Sequence, residues 1–126
     1  MSLIKNALGC LLLVVICSGC SSITNLTASR QHRTKTGLYP VEAAFRSNQQ
    51  SLIQDSIKPK VVVGLDEIPM EPVPLVQDRW QAYLPVPANQ QSVRYHFKFD
   101  YEYYAVPVRR GDSILSSEYK LNVSDK

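Results

Sequence analysis

The chain has 126 residues, with 14 Lys and Arg, 11 Asp and Glu, and a formal net charge of +3. This length suits one domain, and so small a positive charge does not predict nucleic-acid binding by the whole chain. Only five residues are glycine, which excludes a glycine-rich loop for binding phosphate.

The first residues carry the pattern of an export signal. One positive charge, Lys5, precedes an apolar segment from about residue 7 to residue 16, and two small residues stand directly before Cys20. The apolar segment is too short to span a bilayer as a permanent helix. We therefore predict that residues 1–19 form a cleaved signal peptide.

The end of this segment, Cys17-Ser18-Gly19-Cys20, resembles the lipobox of bacterial lipoproteins, although Cys17 departs from the usual aliphatic residue. The resemblance implies cleavage before Cys20, a diacylglyceryl group on its thiol and a further acyl chain, such as palmitate, on its amine. Ser21 in place of aspartate resembles the sorting pattern of outer-membrane lipoproteins, which implies an anchored protein that faces the periplasm. The alternative is an ordinary signal peptide followed by an incidental cysteine.

Removal of the signal leaves roughly 107 residues, enough for one domain with a modest core. Cys20 is then the sole cysteine, so we expect neither an internal disulfide nor a cysteine-based metal site.

Residues 20–37 follow the cleavage point and are rich in Ser, Thr, Asn and basic residues. This composition predicts a flexible tether after the lipidated Cys20. Within it, Arg30, Arg33 and Lys35 are candidate contacts for an anionic surface: lipid headgroups, lipopolysaccharide phosphates or peptidoglycan carboxylates. The alternative is a solvated basic linker.

Residues 38–126 are predicted to form the folded domain. The clearest strand is Val93–Tyr103, in which aromatic or apolar side chains alternate with charged ones. Weaker patterns predict strands at Leu38–Arg46, Ser51–Ile57 (which also fits a helical turn), Lys60–Gly64, Arg79–Leu84 and Glu118–Val123. Most prolines fall between these strands, and turns are predicted at Asn89–Ser92 and at Gly111-Asp112.

These short strands predict an all-β fold: a single small antiparallel β-sandwich, immunoglobulin-like in layout, after the signal peptide and the tether. The segments Val61–Gly64, Met70–Pro74, Arg79–Pro87 and Tyr95–Phe99 are similar to the immunoglobulin-like modules that bind glycogen and starch. Those modules bind glucans through exposed aromatic residues. The phase of Trp80 with the apolar residues of its strand places it in the core, so the resemblance supports the fold more than sugar binding.

Residue patterns for catalysis are missing from the chain. It has no Ser-His-Asp order, HExxH or CxxC motif, and the flanking cations of His96, Arg94 and Lys98, disfavour a metal there. Acidic residues at 66, 67, 71 and 78 could ligate calcium or supply a carboxylate pair, but a solvated loop explains them better. We therefore predict no enzyme, no cofactor and no metal.

The long strand offers two further features. Its charged face divides into Arg94, His96 and Lys98 followed by Asp100 and Glu102, which cross-strand pairing with Glu118 and Lys120 would explain. Its aromatic end, comprising Tyr101, Tyr103 and Tyr104, is a candidate binding surface because the strand exceeds what a small core needs. The alternative is that all three tyrosines belong to the core.

The leading functional hypothesis is a non-catalytic docking or assembly subunit of an envelope complex, anchored to the outer membrane by lipid. Its expected partners are the membrane and one or more envelope proteins. The alternative is a carbohydrate-binding module whose partner is a polysaccharide, and a hydrolase that uses the acidic loop ranks last.

Overall fold

A computed structural model of the chain describes residues 21–49 and 51–125. Every helix-or-strand element within these ranges is a strand, which confirms the all-β prediction. The described strands are β1 (Ser21–Asn25), β2 (Arg30–His32), β3 (Leu38–Ser47), β4 (Leu52–Val63), β5 (Asp66–Pro69), β6 (Glu71–Pro72), β7 (Arg79–Pro85), β8 (Ser92–Ala105), β9 (Val108–Leu115) and β10 (Tyr119–Ser124). The predicted signal peptide and Cys20 lie outside the described residues.

The strands form two sheets. The first has the order β1-β3-β7-β6, and the second has the order β2-β10-β8-β4-β5. Strand β9 also pairs with β8, beyond the end of β10. The described pairs are antiparallel except for β2 with β10.

The two sheets pack face to face on an apolar core. Alternate residues of β3 and β8 point into it, as the sequence pattern predicts. Phe45 of the first sheet stacks on Phe99 of the second, with ring centroids 4.7 Å apart and ring planes 10° apart. The largest fully buried side chains are Tyr39, Tyr95, Phe97, Phe99, Leu84, Leu121, Val41 and Val61. Burial of each large apolar side chain contributes about 1.5–3 kcal/mol.

Strand β4 unites two segments that are predicted as separate strands. Its register with β8 shifts between Ile53 and Lys58. At this irregularity Ser56 Oγ accepts a hydrogen bond of 2.7 Å from the Glu102 N–H and donates one of 2.6 Å to the Ile53 carbonyl. The hydroxyl therefore satisfies backbone groups that the bulge would leave unpaired.

The predicted flexible tether is wrong for the residues that lie in strands. β1 pairs with β3 from Ser21 opposite Ser47 to Asn25 opposite Ala43, and Ile23 packs against the core. β2 pairs with β10 in parallel. Amino-acid composition does not predict such strands, because an edge strand forms backbone hydrogen bonds with its neighbour and needs little apolar surface of its own.

The predicted turn at Gly111-Asp112 is also wrong. Gly111 lies opposite Glu102 within β9, and the turn between β8 and β9 falls at Val106-Pro107 instead. The side chains of β9 are exposed except for the half-buried Ile114. This strand therefore lacks the alternation of apolar and polar residues from which strands are predicted.

Candidate functional site

Several ion pairs link the strands on the outer face of the second sheet. Lys60 Nζ lies 3.3 Å from Glu67 Oε2 and 3.4 Å from Asp100 Oδ2, which links β5, β4 and β8. Lys98 Nζ approaches the same two carboxylates at 3.8 and 3.9 Å. Ser113 Oγ on β9 donates a further hydrogen bond to Asp100.

These contacts change the proton affinities of the two central groups. The hydrogen bonds to Glu67 and Asp100 raise the pKa of Lys60. Burial opposes ionisation of Asp100, but the hydrogen bond from Ser113 and the charge of Lys98 outweigh it and hold its pKa below the usual value. Both groups are therefore charged at neutral pH and satisfied by each other.

Two more pairs complete this charged face. Arg94 Nη1 lies 3.2 Å from Glu118 Oε1, which confirms the predicted cross-strand pairing of Arg94. Arg109 Nη2 on β9 lies 2.7 Å from Glu102 Oε2. A face whose charges pair internally gives an apolar partner little to bind, because contact would strip water from each pair.

The outer face of the first sheet exposes a group of apolar side chains beyond the polar residues Glu42 and Gln81. Leu38 lies opposite Pro85, and Pro40 lies opposite Tyr83, with all four side chains on the solvent side of β3 and β7. We call these four residues, with the neighbouring Leu26, the Tyr83 patch. Tyr83 is 59% exposed, Leu38 42% and Leu26 37%. The strands expose this patch because the residues between its members point into the core.

The structure separates the three predicted binding tyrosines. Tyr101 is buried, with its ring 5.6 Å from that of Phe45, so its predicted protrusion is wrong. Burial and the nearby Asp112 carboxylate, which accepts its hydroxyl at 3.3 Å, raise the pKa of Tyr101. Tyr103 is half-buried against the core. Tyr104 alone of the three is exposed, and it points to the other face of β8, where Arg109 lies 5.9 Å from its ring centroid.

The predicted basic contacts are also separated. Arg33 binds the Asp125 carboxylate and donates a hydrogen bond of 2.8 Å to the Gln90 carbonyl, so its charge is already paired. Arg30 lies on β2 and shares a shallow depression with Lys120. Lys35 lies on the loop between β2 and β3, at the end of the molecule where β8 begins.

A groove of about 630 Å³ opens at that same end of the molecule. Its apolar lining includes Val63, Val86 and Val93, and Lys35 and Asp66 contribute opposite charges. No aromatic side chain lines this groove, and its ionisable groups are Arg33, Lys35 and Asp66.

The four acidic residues considered as ligands do not form one site. Glu67 is engaged by Lys60 and Lys98, whereas Asp78 lies beyond β6 with its carbonyl accepting the Phe45 N–H at 2.9 Å. Within residues 21–49 and 51–125, no three His, Cys, Asp or Glu side chains are grouped so that they could hold a metal ion.

The described ranges contain no helix of sufficient length and apolar character to cross a membrane.

Comparisons with protein families, with characterised proteins and with solved structures found no match. Functional inference therefore rests on the residues of this chain. Tyr83 is not among the binding residues predicted from the sequence. Its alternation with the apolar Ala82 and Leu84 is a signal that could have placed its side chain on the solvent face.

Proposed function

We propose that the chain is a lipid-anchored, non-catalytic lipoprotein of the bacterial outer membrane that faces the periplasm and docks a protein partner of the cell envelope. The observation that carries the docking is the cluster of exposed apolar side chains in the Tyr83 patch. The outer face of the other sheet carries ion pairs centred on Lys60 and Asp100.

The chemistry of the Tyr83 patch suits a protein surface. Tyrosine combines a flat apolar ring with a hydroxyl that stays hydrated or hydrogen-bonded, and it is enriched in protein interfaces. Pro40 and Pro85 flank the ring with rigid apolar surface that loses little entropy on binding. The patch is small, so anchoring in the membrane of the partner supplies the effective concentration that a weak interface needs.

Strand order supports the immunoglobulin-like part of the prediction. In the lettering of that fold, β1-β3-β7-β6 corresponds to A-B-E-D, and β10-β8-β4-β5 corresponds to G-F-C with one added strand. The stacked rings of Phe45 and Phe99 join the two sheets in the manner of a sandwich core. We therefore propose an immunoglobulin-like β-sandwich as the scaffold of the docking surface.

The position of β1 changes how an anchor at Cys20 acts. Ser21, the residue that follows Cys20, already lies in β1. An acyl anchor on Cys20 therefore holds the domain close to the membrane, without the long flexible tether that the composition predicts. Lys35 precedes β3, whose other end pairs with Ser21, so about 30 Å of strand separates Lys35 from the anchor. This geometry favours peptidoglycan carboxylates over headgroups of the anchoring membrane as its anionic contact.

The docking proposal predicts that Tyr83→Glu removes the partner. The added carboxylate must be desolvated against an apolar surface, so recovery of envelope proteins with tagged, lipidated protein in mild detergent should fall at least tenfold. Mass spectrometry of the co-purified proteins measures this.

Leu115→Glu is the matched control, because Leu115 is 60% exposed and lies on β9 of the other sheet. It should leave recovery unchanged. Equal recovery with both variants, or the absence of any stoichiometric partner of the wild-type protein, would contradict docking through the Tyr83 patch.

A carbohydrate-binding module is the second candidate, and one observation favours it. On the face that exposes Tyr83, the half-buried Glu42 and Gln81 lie opposite each other, and Gln81 is two residues from Tyr83 along β7. An aromatic ring beside a carboxylate and an amide is a small version of a sugar-stacking site.

Polysaccharide retention separates the two candidates. If sugar is the ligand, wild-type protein is retained on peptidoglycan or glucan and both Tyr83→Ala and Gln81→Ala release it, whereas Tyr104→Ala does not. No retention of the wild-type protein would exclude this reading and leave protein docking.

A further inference from the structure

The described fold begins beside the hairpin formed by β8 and β9. Ser21 lines one shallow depression together with Tyr101, Tyr103 and Asp112. At the other end of β1, Asn25 Nδ2 donates a hydrogen bond of 3.1 Å to the Tyr95 hydroxyl. β1 therefore runs opposite to β8, and the start of β1 lies toward the hairpin tip.

The hairpin continues well beyond this point. From Tyr101 and Tyr103 the strand runs through Ala105 to the turn at Val106-Pro107, so the tip reaches roughly 10–15 Å past Ser21 at the rise of a strand. Consecutive Cα atoms of a chain are about 3.8 Å apart, so a lipid on residue 20 attaches the chain to the membrane directly beside Ser21. An anchored molecule therefore carries this tip on its membrane side.

The exposed side chains of the tip match a bilayer interface. Val106 is 95% exposed, Tyr104 60% and Val108 53%, although each is apolar or aromatic. Arg109, which pairs with Glu102, and Arg110 follow directly and are exposed. Aliphatic groups enter the boundary between headgroups and acyl chains, tyrosine sits at the headgroup level, and arginine is attracted to anionic headgroups.

The backbone of the hairpin fits the same environment. Ala105 pairs with Val108 and Tyr104 with Arg109, so the strands on either side of the turn satisfy each other's polar groups. The backbone groups that point outward from the two strands still need water or headgroup partners, so the tip enters only the hydrated headgroup region.

We propose that the tip formed by Tyr104, Val106, Val108, Arg109 and Arg110 is a second membrane contact, inserted in the headgroup region of the bilayer that holds acylated Cys20. This inference rests on the lipid anchor of the proposed function. Two points of attachment fix the orientation of the domain, so the Tyr83 patch is presented to its partner at a defined height above the membrane.

A fluorescent probe at the tip tests the inference in the mature lipidated protein. Cys10 and Cys17 leave with the signal and the Cys20 thiol carries lipid, so Val106→Cys provides the single reactive thiol. The labelled protein is reconstituted in vesicles of phosphatidylethanolamine with a minority of phosphatidylglycerol, and quenching by nitroxide lipids is measured. Leu65→Cys is the matched control, because Leu65 is 102% exposed at the turn between β4 and β5, at the opposite end.

The expected result is several-fold stronger quenching at position 106 than at position 65. Adding Tyr104→Asp and Val108→Asp should reduce quenching at 106 to the level of the control while the protein still floats with the vesicles. Equal quenching at both positions in floating protein would overturn the hairpin contact and leave the anchor standing. Protein that does not float, or that takes up two labels per chain through a free Cys20, would overturn the anchor and the contact that rests on it.

Discussion

Replacing Phe99 with alanine is expected to lower the free energy of unfolding by about 3–5 kcal/mol. Phe99 is fully buried on β8, and its ring lies on that of Phe45 from the facing sheet. The change removes apolar surface and leaves a cavity between sheets that cannot collapse without moving both. Since small domains unfold with about 5–15 kcal/mol in total, this loss is a large share of the stability.

Urea unfolding of the chain from residue 21 onward, followed by the fluorescence of Trp80, measures the change. Trp80 is the single tryptophan and packs against the core, so its signal reports the whole domain. Tyr104→Ala is the matched control on the same strand and should change stability by less than about 0.5 kcal/mol.

The stacking of the two rings can be tested separately. The double variant Phe45→Ala with Phe99→Ala should cost less than the sum of the single variants, because residues in direct contact are coupled. A loss below about 1 kcal/mol for Phe99→Ala, or strict additivity, would contradict the packing of the sheets through this pair.

The strands that form the core could be predicted from the sequence. In β8 the buried residues Tyr95, Phe97 and Phe99 alternate with polar ones, and β3 behaves in the same way. In these strands one face meets the core and the other meets water, so the amino-acid pattern records the environment directly. The predicted strands at residues 79–84 and 118–123 were recognised by the same signal and correspond to β7 and β10.

The edge strands could not be predicted in this way. β1 packs one apolar side chain, Ile23, against the core, and β9 packs only Ile114. Their position is determined by backbone pairing with β3 and β8. Backbone hydrogen bonds do not depend on the side chains, so the residue types do not reveal this pairing. For this reason the sequence predicts a tether at residues 20–37 and a turn at Gly111-Asp112, which lies within β9.

The candidate surfaces also divide into features that the residue pattern predicts and features that depend on how the strands pair. Pairing of Arg94 with Glu118 could be predicted, because charges on one face of a strand require neighbours. The Tyr83 patch depends on the register that brings Pro40 opposite Tyr83 and Leu38 opposite Pro85, and register follows from the assembled sheet. The aromatic strand is longer than the predicted Val93–Tyr103 and runs from Ser92 to Ala105. Its far residues pair with β9 in a hairpin; Tyr101 is buried against Phe45, whereas Tyr104 on the other face is exposed.

Replacing Cys20 with serine is expected to abolish acylation of the protein. A thiolate is nucleophilic enough to accept the diacylglyceryl group, whereas a serine hydroxyl is not at neutral pH. Radiolabelled palmitate should therefore enter the wild-type protein and fall to background in Cys20→Ser. Cys10→Ala is the matched control, because it also removes a cysteine but one that is expected to leave with the signal peptide.

Loss of the label does not by itself show loss of anchoring, because an uncleaved signal peptide can hold the chain at the membrane. Exporting Cys20→Ser behind the signal peptide of a soluble periplasmic protein removes this ambiguity, and the domain should then leave the membrane fraction. Several acyl chains anchor a protein durably at about 0.8 kcal/mol per buried methylene, whereas shallow insertion of one hairpin tip is weak and reversible. Palmitate retained by Cys20→Ser would contradict the lipobox, and a released domain that still sediments with membranes would mean that the hairpin binds without the anchor.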